Sequence, residues 1–391
     1  MKSLSTVAQA IEPSATLAID ALYKQMLAEG KDVVGFGAGE PDFNTPDNIK
    51  MAALQAITAN MTRYTPAVGT VELRKAICNR LKTDFGLNYE PSQIAVSSGA
   101  KPCVFTALQA LLNPGDEVIL PSPFWVSYIE LIRMAGGVPV IIETTEADAF
   151  KISAERLAEA ITDKTKCMIL NNPCNPTGMM YTREELEGIA KVCVEKDIYV
   201  ISDEIYCCLV YDKEKFTSFA SLGEEIKERT IIINGVSKAY AMTGWRMGYL
   251  CAPRPIAAQM LKLHQFGIMS APTTAQFAAI EAMRNGDDDV AMMRAEYNRR
   301  RRYLTSGLRA LGMPCFEPEG AFYAFPNVAG FGLSSEEFCE RLLTEYDVAI
   351  VPGGAFGACG EGFARISYAY SVEHISKALD RMEAFVKELR K

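Results

Sequence analysis

Histidine is nearly missing from this chain: two residues, His264 and His374, among 391. A serine–histidine–aspartate relay would have to use one of them. Neither sits at a ligand-like spacing, which argues against a histidine-rich metal centre, and no metal site is expected. Proton transfer near neutral pH therefore needs some other tuned group. Long apolar runs are missing too. No stretch approaches 18 uninterrupted apolar residues, and the segment MKSLSTVAQAIEPSAT lacks an apolar core with a small-residue cleavage site, so membrane spanning and secretion are both unsupported. There is no CxxC pair among the 11 cysteines, and the adjacent Cys207 and Cys208 are poorly suited to an ordinary structural disulfide. A reduced, cytoplasmic protein is expected. Positive charge is not in excess: 40 basic against 48 acidic residues leave −8, which argues against a nucleic-acid or anionic-membrane binder. Internal repeats, low-complexity tracts and flexible linkers are absent as well.

What is present is length and alternation. The chain exceeds the roughly 250–300 residues at which one core stops growing, so two domains are expected. Short runs that are apolar nearly throughout predict strands at Gln93–Ser97, Glu117–Pro121, Val138–Ile142, Cys167–Leu170, Ile198–Asp203, Thr230–Asn234 and Gly248–Cys251. Such runs suit a sheet covered on both faces. Helical patterns lie between them at Pro102–Leu112, Trp125–Ala135, Ala154–Ile161 and Arg183–Glu195, the last introduced by a capping box of Thr182 and Glu185. The alternation indicates a largely parallel α/β sheet over residues 47–290. A polar helix, Asp287–Leu311, then connects to a smaller α+β part holding GAFYAF, VAIVPG and FARISYA, where residues 1–46 would also pack. The run Arg299–Arg302 in that helix predicts a solvated or interfacial face rather than a phosphate site, because consecutive helical residues point all round the axis.

Several segments carry chemistry. Gly35-Phe-Gly-Ala-Gly39 resembles the start of a dinucleotide fingerprint, but Pro41 follows and no helix opens, so a glycine-rich turn beside a ligand is the better reading. Lys238 leaves a buried strand for a small-residue loop. Desolvation there would lower its pKa and make it a nucleophile, although a lone lysine could equally cap the strand and reach solvent. Asp203 ends a buried strand, where open α/β sheets place ligands; a helix N-cap is the plainer alternative. Asn171-Asn-Pro-Cys-Asn175-Pro-Thr-Gly178 reads as an extended, rigid loop that fixes an asparagine amide, or simply as a tight turn. Ser97-Ser98-Gly99-Ala100-Lys101 forms a strand-to-helix junction whose free N–H groups could hold a phosphate. Arg365 sits in an apolar strand, either for a ligand carboxylate or for a structural ion pair.

Together these segments resemble the fold-type I, pyridoxal-phosphate-dependent class I aminotransferases. The match runs through Pro13-Ser-Ala-Thr16, Gly39-Glu-Pro-Asp-Phe43, Tyr64-Thr-Pro-Ala-Val-Gly69 with Leu73-Arg74, Pro123-Phe-Trp125-Val-Ser-Tyr128, NNPCNPTG, Ser-Asp203-Glu-Ile-Tyr206, Ser237-Lys238 with Gly244-Trp-Arg246, and Arg365. It is most similar to the bacterial-type aspartate aminotransferase subgroup. The resemblance implies a large domain at 47–290, with a mostly parallel seven-stranded sheet between helices. It implies a small α+β domain from 1–46 and 291–391, joined to the large one by a long connecting helix.

The roles that follow belong to the resemblance. Lys238 would bind pyridoxal phosphate as the internal aldimine and shuttle the proton. Asp203 would pair with the pyridine nitrogen, Tyr206 and Asn175 with the phenolic oxygen, and Trp125 would stack on the ring. Ser98, Gly99, Ala100, Ser237 and Arg246 would cradle the phosphate, with Tyr64 reaching the neighbouring subunit's site in a homodimer. Arg365 would hold the substrate α-carboxylate with help from Gly39, Trp125 and Asn175. Lys101, Ser14 and Thr16 would take the distal carboxylate. The implied reaction is ping-pong transamination between L-aspartate and 2-oxoglutarate. An aminotransferase for aromatic amino acids, kynurenine or prephenate is the alternative, although Glu12 stands where prephenate-accepting relatives tend to carry a basic residue. A non-catalytic regulator on the same scaffold is a remote third, since the motifs begin at Pro13 and leave no room ahead of them for a DNA-binding module. His264 and His374 match no site position and read as structural or surface residues.

Overall fold

The apolar runs become strands because side chains on both of their faces are covered. Ile231, Ile232 and Ile233 are all fully buried, each contributing about 1.5–3 kcal/mol by burial. The computed structural model describes residues 2–11, 15–212 and 215–391, with only the backbone at 15–18 and 20. Its strands are β1 (Val34–Gly35), β2 (Ile94–Ser97), β3 (Glu117–Ser122), β4 (Val138–Glu143), β5 (Thr165–Asn171), β6 (Tyr199–Asp203), β7 (Thr230–Gly235), β8 (Gly248–Cys251), β9 (Tyr323–Ala324), β10 (Val348–Ala349), β11 (Val351–Pro352) and β12 (Ala364–Ser367).

Strands β2 to β8 form one seven-stranded sheet in the order β2-β8-β7-β6-β5-β3-β4. Pairing from β4 through β7 is parallel, and β8 runs antiparallel to both β7 and β2. One face is covered by a core that includes Leu108 of the helix Ala100–Leu111 and Met260 of the helix Arg254–Gly267. Another core on the sheet holds Leu186 and Ile189 of the helix Arg183–Glu195. The capping box forms as its sequence predicts, with Thr182 Oγ1 accepting from Glu185 N–H and Glu185 Oε2 accepting from Thr182 N–H. This layering brings the C-terminal ends of β5, β6 and β7 to one rim of the sheet.

The helix Asp287–Ala310 leads from this sheet to a separate core around Phe338, Ile366 and Phe385. There β9, β11 and β12 pair antiparallel in the order β11-β12-β9, while β1 pairs parallel with β10. The chain's beginning thus joins its end, with Met26 and Val33 against Leu343 and Ala349.

The run Arg299–Arg302 divides between the solvated and interfacial placements that its sequence predicts. Arg299 and Arg302 are exposed, but Arg300 and Arg301 are buried, since the helical turn aims them at the inner side. Arg300 donates from Nη1 to Asp42 Oδ1 at 2.7 Å and lies over the Phe43 ring, while Arg301 pairs with Asp212 and lies over Tyr211. The loop after β5 is turned rather than extended. Gly178 N–H donates to Cys174 O at 2.9 Å and Cys174 N–H to Met179 O at 3.0 Å, so the backbone closes on itself; its Asn172–Pro173 and Asn175–Pro176 bonds are cis. Among the described residues, no helix is long and apolar enough to cross a membrane.

Candidate active site

A cavity of about 570 Å³ opens at the rim where β5, β6 and β7 end. An open parallel sheet offers loop residues and free N–H groups there. Asp203 is the last residue of β6 and is buried. Its Oδ2 accepts from Tyr128 OH at 2.7 Å and its Oδ1 from Ile205 N–H at 3.2 Å. Burial outweighs these hydrogen bonds and pushes its carboxyl up to about 6. Lys238 follows β7 after three residues and faces the same cavity. Its Nζ donates to Gly39 O. Burial pulls the amine down to about 8; the Glu40 carboxylate opposes this, and the Arg365 and Arg246 guanidinium groups add to it.

Tyr206, in the turn after β6, is buried, and its hydroxyl meets that of Tyr323 at 2.9 Å. Asn175 directs Oδ1 to Arg365 Nη1 at 3.1 Å, while its own N–H donates to Asn171 Oδ1 at 2.9 Å.

Arg365 decides what the cavity can hold. It is buried in β12, between the rings of Tyr323 (4.7 Å) and Phe356 (5.0 Å). Nη2 donates to Gly37 O at 2.6 Å, and Nε has no partner among the described residues. Among the described residues no carboxylate pairs with it, so the structural ion pair is not found. A buried guanidinium without an anion is costly unless a ligand carboxylate completes it. On the other side, Lys101 stands exposed in the first turn of the helix Ala100–Leu111, its Nζ 4.8 Å from the Trp125 ring centroid.

The junction after β2 forms the third part. Gly99 caps the helix with φ +103°, and a Cβ there would lie 2.4 Å from Arg246 Nη2. Arg246 is exposed, donates to Thr243 O at 2.8 Å and reaches Ser98 O at 3.4 Å. A helix N-terminus, an arginine and the nearby Ser237 together suit a phosphate. A buried carboxylate, an amine of lowered pKa and this cradle around one cavity fit pyridoxal phosphate.

Lys238, Asp203, Tyr206, Asn175, Trp125, Ala100, Ser237, Arg246, Gly39, Arg365 and Lys101 all border the cavity. Ser98 and Gly99 lie just behind it. Tyr64 does not border it and is 83% exposed. Ser14 and Glu12 lie outside the described residues, and Thr16 is described only in its backbone, within the helix Ala15–Ala28. Outside the site, His374 stacks on Tyr370 and bonds Gly35 O through Nε2, while His264 is buried with no partner among the described residues.

Two residues escaped the sequence reading. Tyr128 and Tyr323 were visible only as parts of FWVSY and GAFYAF. The one available signal was the three-residue spacing of Trp125 and Tyr128; the helix itself starts at Ser127, and the two rings meet edge to face at 5.3 Å.

Comparison with known proteins agrees with this geometry. Residues 31–382 match the model for aminotransferase class I and II. The chain is 47% identical to the aspartate aminotransferase of Bacillus sp. (strain YM-2), covering 98% of this chain and 99% of that one. It is 43% identical to the aspartate/prephenate aminotransferase of Thermus thermophilus, covering 97% and 98%. The solved aspartate aminotransferase from Thermus thermophilus with maleate superposes with a TM-score of 0.94 at 42% identity, covering 98% of this chain and all of that one.

Proposed function

We propose a reaction from the premise that this chain belongs to the aminotransferase class I and II family and is a pyridoxal-phosphate-dependent transaminase. The reaction is reversible amino transfer from L-aspartate to 2-oxoglutarate, giving oxaloacetate and L-glutamate. The observation that carries it is the pair of cations facing one cavity, Arg365 and Lys101, which suits a substrate with two carboxylates. The Thermus relative was solved with maleate, itself a dicarboxylate, which supports the same reading.

Each side chain then has a task. Bound pyridoxal phosphate supplies a protonatable ring that draws electrons from the substrate Cα. Asp203 offers a buried anion to the ring nitrogen, held in place by Tyr128. Tyr206, oriented by Tyr323, and Asn175 donate hydrogen bonds to the phenolic oxygen, and Trp125 covers the ring. Gly99, Ala100, Ser98, Ser237 and Arg246 hold the phosphate. Arg365 fixes the α-carboxylate and thereby points the Cα–H toward Lys238. With a pKa near 8, the Lys238 amine can take that proton and return it at neutral pH. Lys101 selects the side-chain carboxylate, with Ser14 and Thr16 as its partners.

The active unit is a homodimer. Tyr64 turns away from its own cavity and follows an exposed apolar stripe of Met51, Leu54, Ile57 and Met61, which a second copy would cover while taking Tyr64 at its phosphate. The unpaired state of all eleven cysteines supports a reducing, cytoplasmic setting.

Steady-state assays with aspartate or phenylalanine as donor to 2-oxoglutarate, and with prephenate replacing 2-oxoglutarate as acceptor from aspartate, test the substrate. Aspartate should have the highest kcat/KM. A preference for phenylalanine as donor would overturn the aspartate reading, and a preference for prephenate over 2-oxoglutarate would change the acceptor to the one in the names of the aspartate/prephenate relatives.

A further inference from the structure

Cys207 and Cys208 follow Tyr206 directly, and their Sγ atoms lie 3.7 Å apart. Asn234 Nδ2 donates to Cys207 Sγ at 3.2 Å. Both cysteines are half-buried and border a small cavity with Arg80, which pairs with Asp84 and Asp287. The remaining cysteines sit differently, and burial pushes each of their thiols up, to about 12 at Cys103, Cys167, Cys193 and Cys315. Cys208 moves the other way, through its sulfur–sulfur contact with Cys207 and the nearby Arg80 guanidinium, and the same contact raises Cys207. The two sulfurs thus divide the roles of an attacking thiolate and a resolving thiol.

We propose that Cys207 and Cys208 form an oxidation site for hydrogen peroxide, closing to a vicinal disulfide that disables the adjoining Tyr206. The Cys208 thiolate attacks a peroxide oxygen; an S–O bond forms, the O–O bond breaks and hydroxide leaves, taking a proton to become water. Cys207 Sγ then attacks Cys208 Sγ; an S–S bond forms, the S–O bond breaks, and the oxygen departs as water with the Cys207 proton. Two thiols lose two electrons and two protons, and one peroxide becomes two waters.

The consequence for Tyr206 is geometric. Consecutive Cα atoms are about 3.8 Å apart, below the usual 4.4–6.8 Å span of a disulfide. Closing the ring must therefore rework the turn, which is held by Cys207 N–H on Glu204 O (2.9 Å) and Leu209 N–H on Tyr206 O (2.8 Å). That turn sets the Tyr206 hydroxyl against Tyr323.

The test treats the cofactor-loaded enzyme with hydrogen peroxide and follows peptide mass and turnover together. The peptide holding Cys207 and Cys208 should lose two hydrogens in mass. Turnover should fall at least about tenfold and return with dithiothreitol. Cys207→Ser and Cys208→Ser should keep basal turnover and resist the loss. Oxidation confined to other cysteines, or a Cys207–Cys208 disulfide that leaves turnover unchanged, would overturn the proposal. The mass readout stands whatever amino acid the enzyme prefers.

Discussion

Arg365 and Lys101 face the same cavity, yet the fold holds them in opposite ways. Arg365 grows from a strand, enclosed by two rings, with Asn175 and Gly37 fixing its fork. Lys101 is exposed on the first turn of a helix, where the positive end of the helix dipole disfavours a cation, and the Trp125 face is its neighbour. Folding has already met the desolvation cost of Arg365, so it binds firmly. On the proposed assignment it would not discriminate, because every amino acid carries an α-carboxylate. Lys101, more open to solvent than Arg365, would on the proposed reading bind more weakly, yet it alone of the two could tell one side chain from another. The proposed reaction thus assigns affinity to the buried arginine and specificity to the exposed lysine.

Four experiments would break or sharpen this contrast. Both cations serve Lys238, so Lys238→Ala should have the largest effect. Turnover should drop by on the order of 10⁴ or more with aspartate and phenylalanine alike, measured in single-turnover assays. Retained turnover would remove the chemistry from this site altogether.

Arg365→Lys comes next. It replaces a planar fork with a point charge, and kcat/KM should fall roughly 10²–10³-fold for all amino acids. A loss confined to aspartate would reverse the two roles.

The third experiment asks whether burial acts on the anion as it does on Arg365. The Asp203 carboxyl is raised from 3.8 to about 6, a penalty of roughly 3 kcal/mol. The folded state holds that proton more tightly than the unfolded one, so stability falls as pH rises from 3.8 to 6, and the penalty is complete above 6. Asp203→Asn should therefore melt higher than wild type in the cofactor-free protein at pH 8, with the gain shrinking below pH 6, while turnover is lost. Equal melting temperatures at pH 8 would show that Asp203 carries no such penalty.

The smallest effect belongs to Lys101→Met. The kcat/KM for aspartate should fall roughly 10–100-fold and that for phenylalanine hold or rise, with added salt weakening aspartate in the wild type. Equal losses for both substrates would place the distal carboxylate elsewhere.

Much of the scaffold is legible residue by residue. The strand Gly248–Cys251 and the helix Arg183–Glu195 occur with their predicted ends, the first because both faces are apolar, the second because its capping box is local. Site residues at strand ends, such as Asp203, are legible for the same reason. Tyr128 and Tyr323 were not, because a tyrosine in an apolar segment looks like core until its hydroxyl finds Asp203 or Tyr206. The arginine run is legible only as solvated or interfacial, because helical periodicity alone does not say which side meets Asp42 and Tyr211.

By itself the sequence determined the alternation of covered strands and amphipathic helices, the chemistry-bearing residue types and their order along the chain. These depend on periodicity and turn chemistry within a few residues. Only the tertiary structure decided that Arg365 meets no carboxylate among the described residues and meets Asn175 190 residues away, that Tyr323 joins Tyr206 across 117, and that Lys238 reaches Gly39 across 199. Contacts at such separations leave no trace in a local pattern, because they exist only once two cores have packed and buried the same cavity between them.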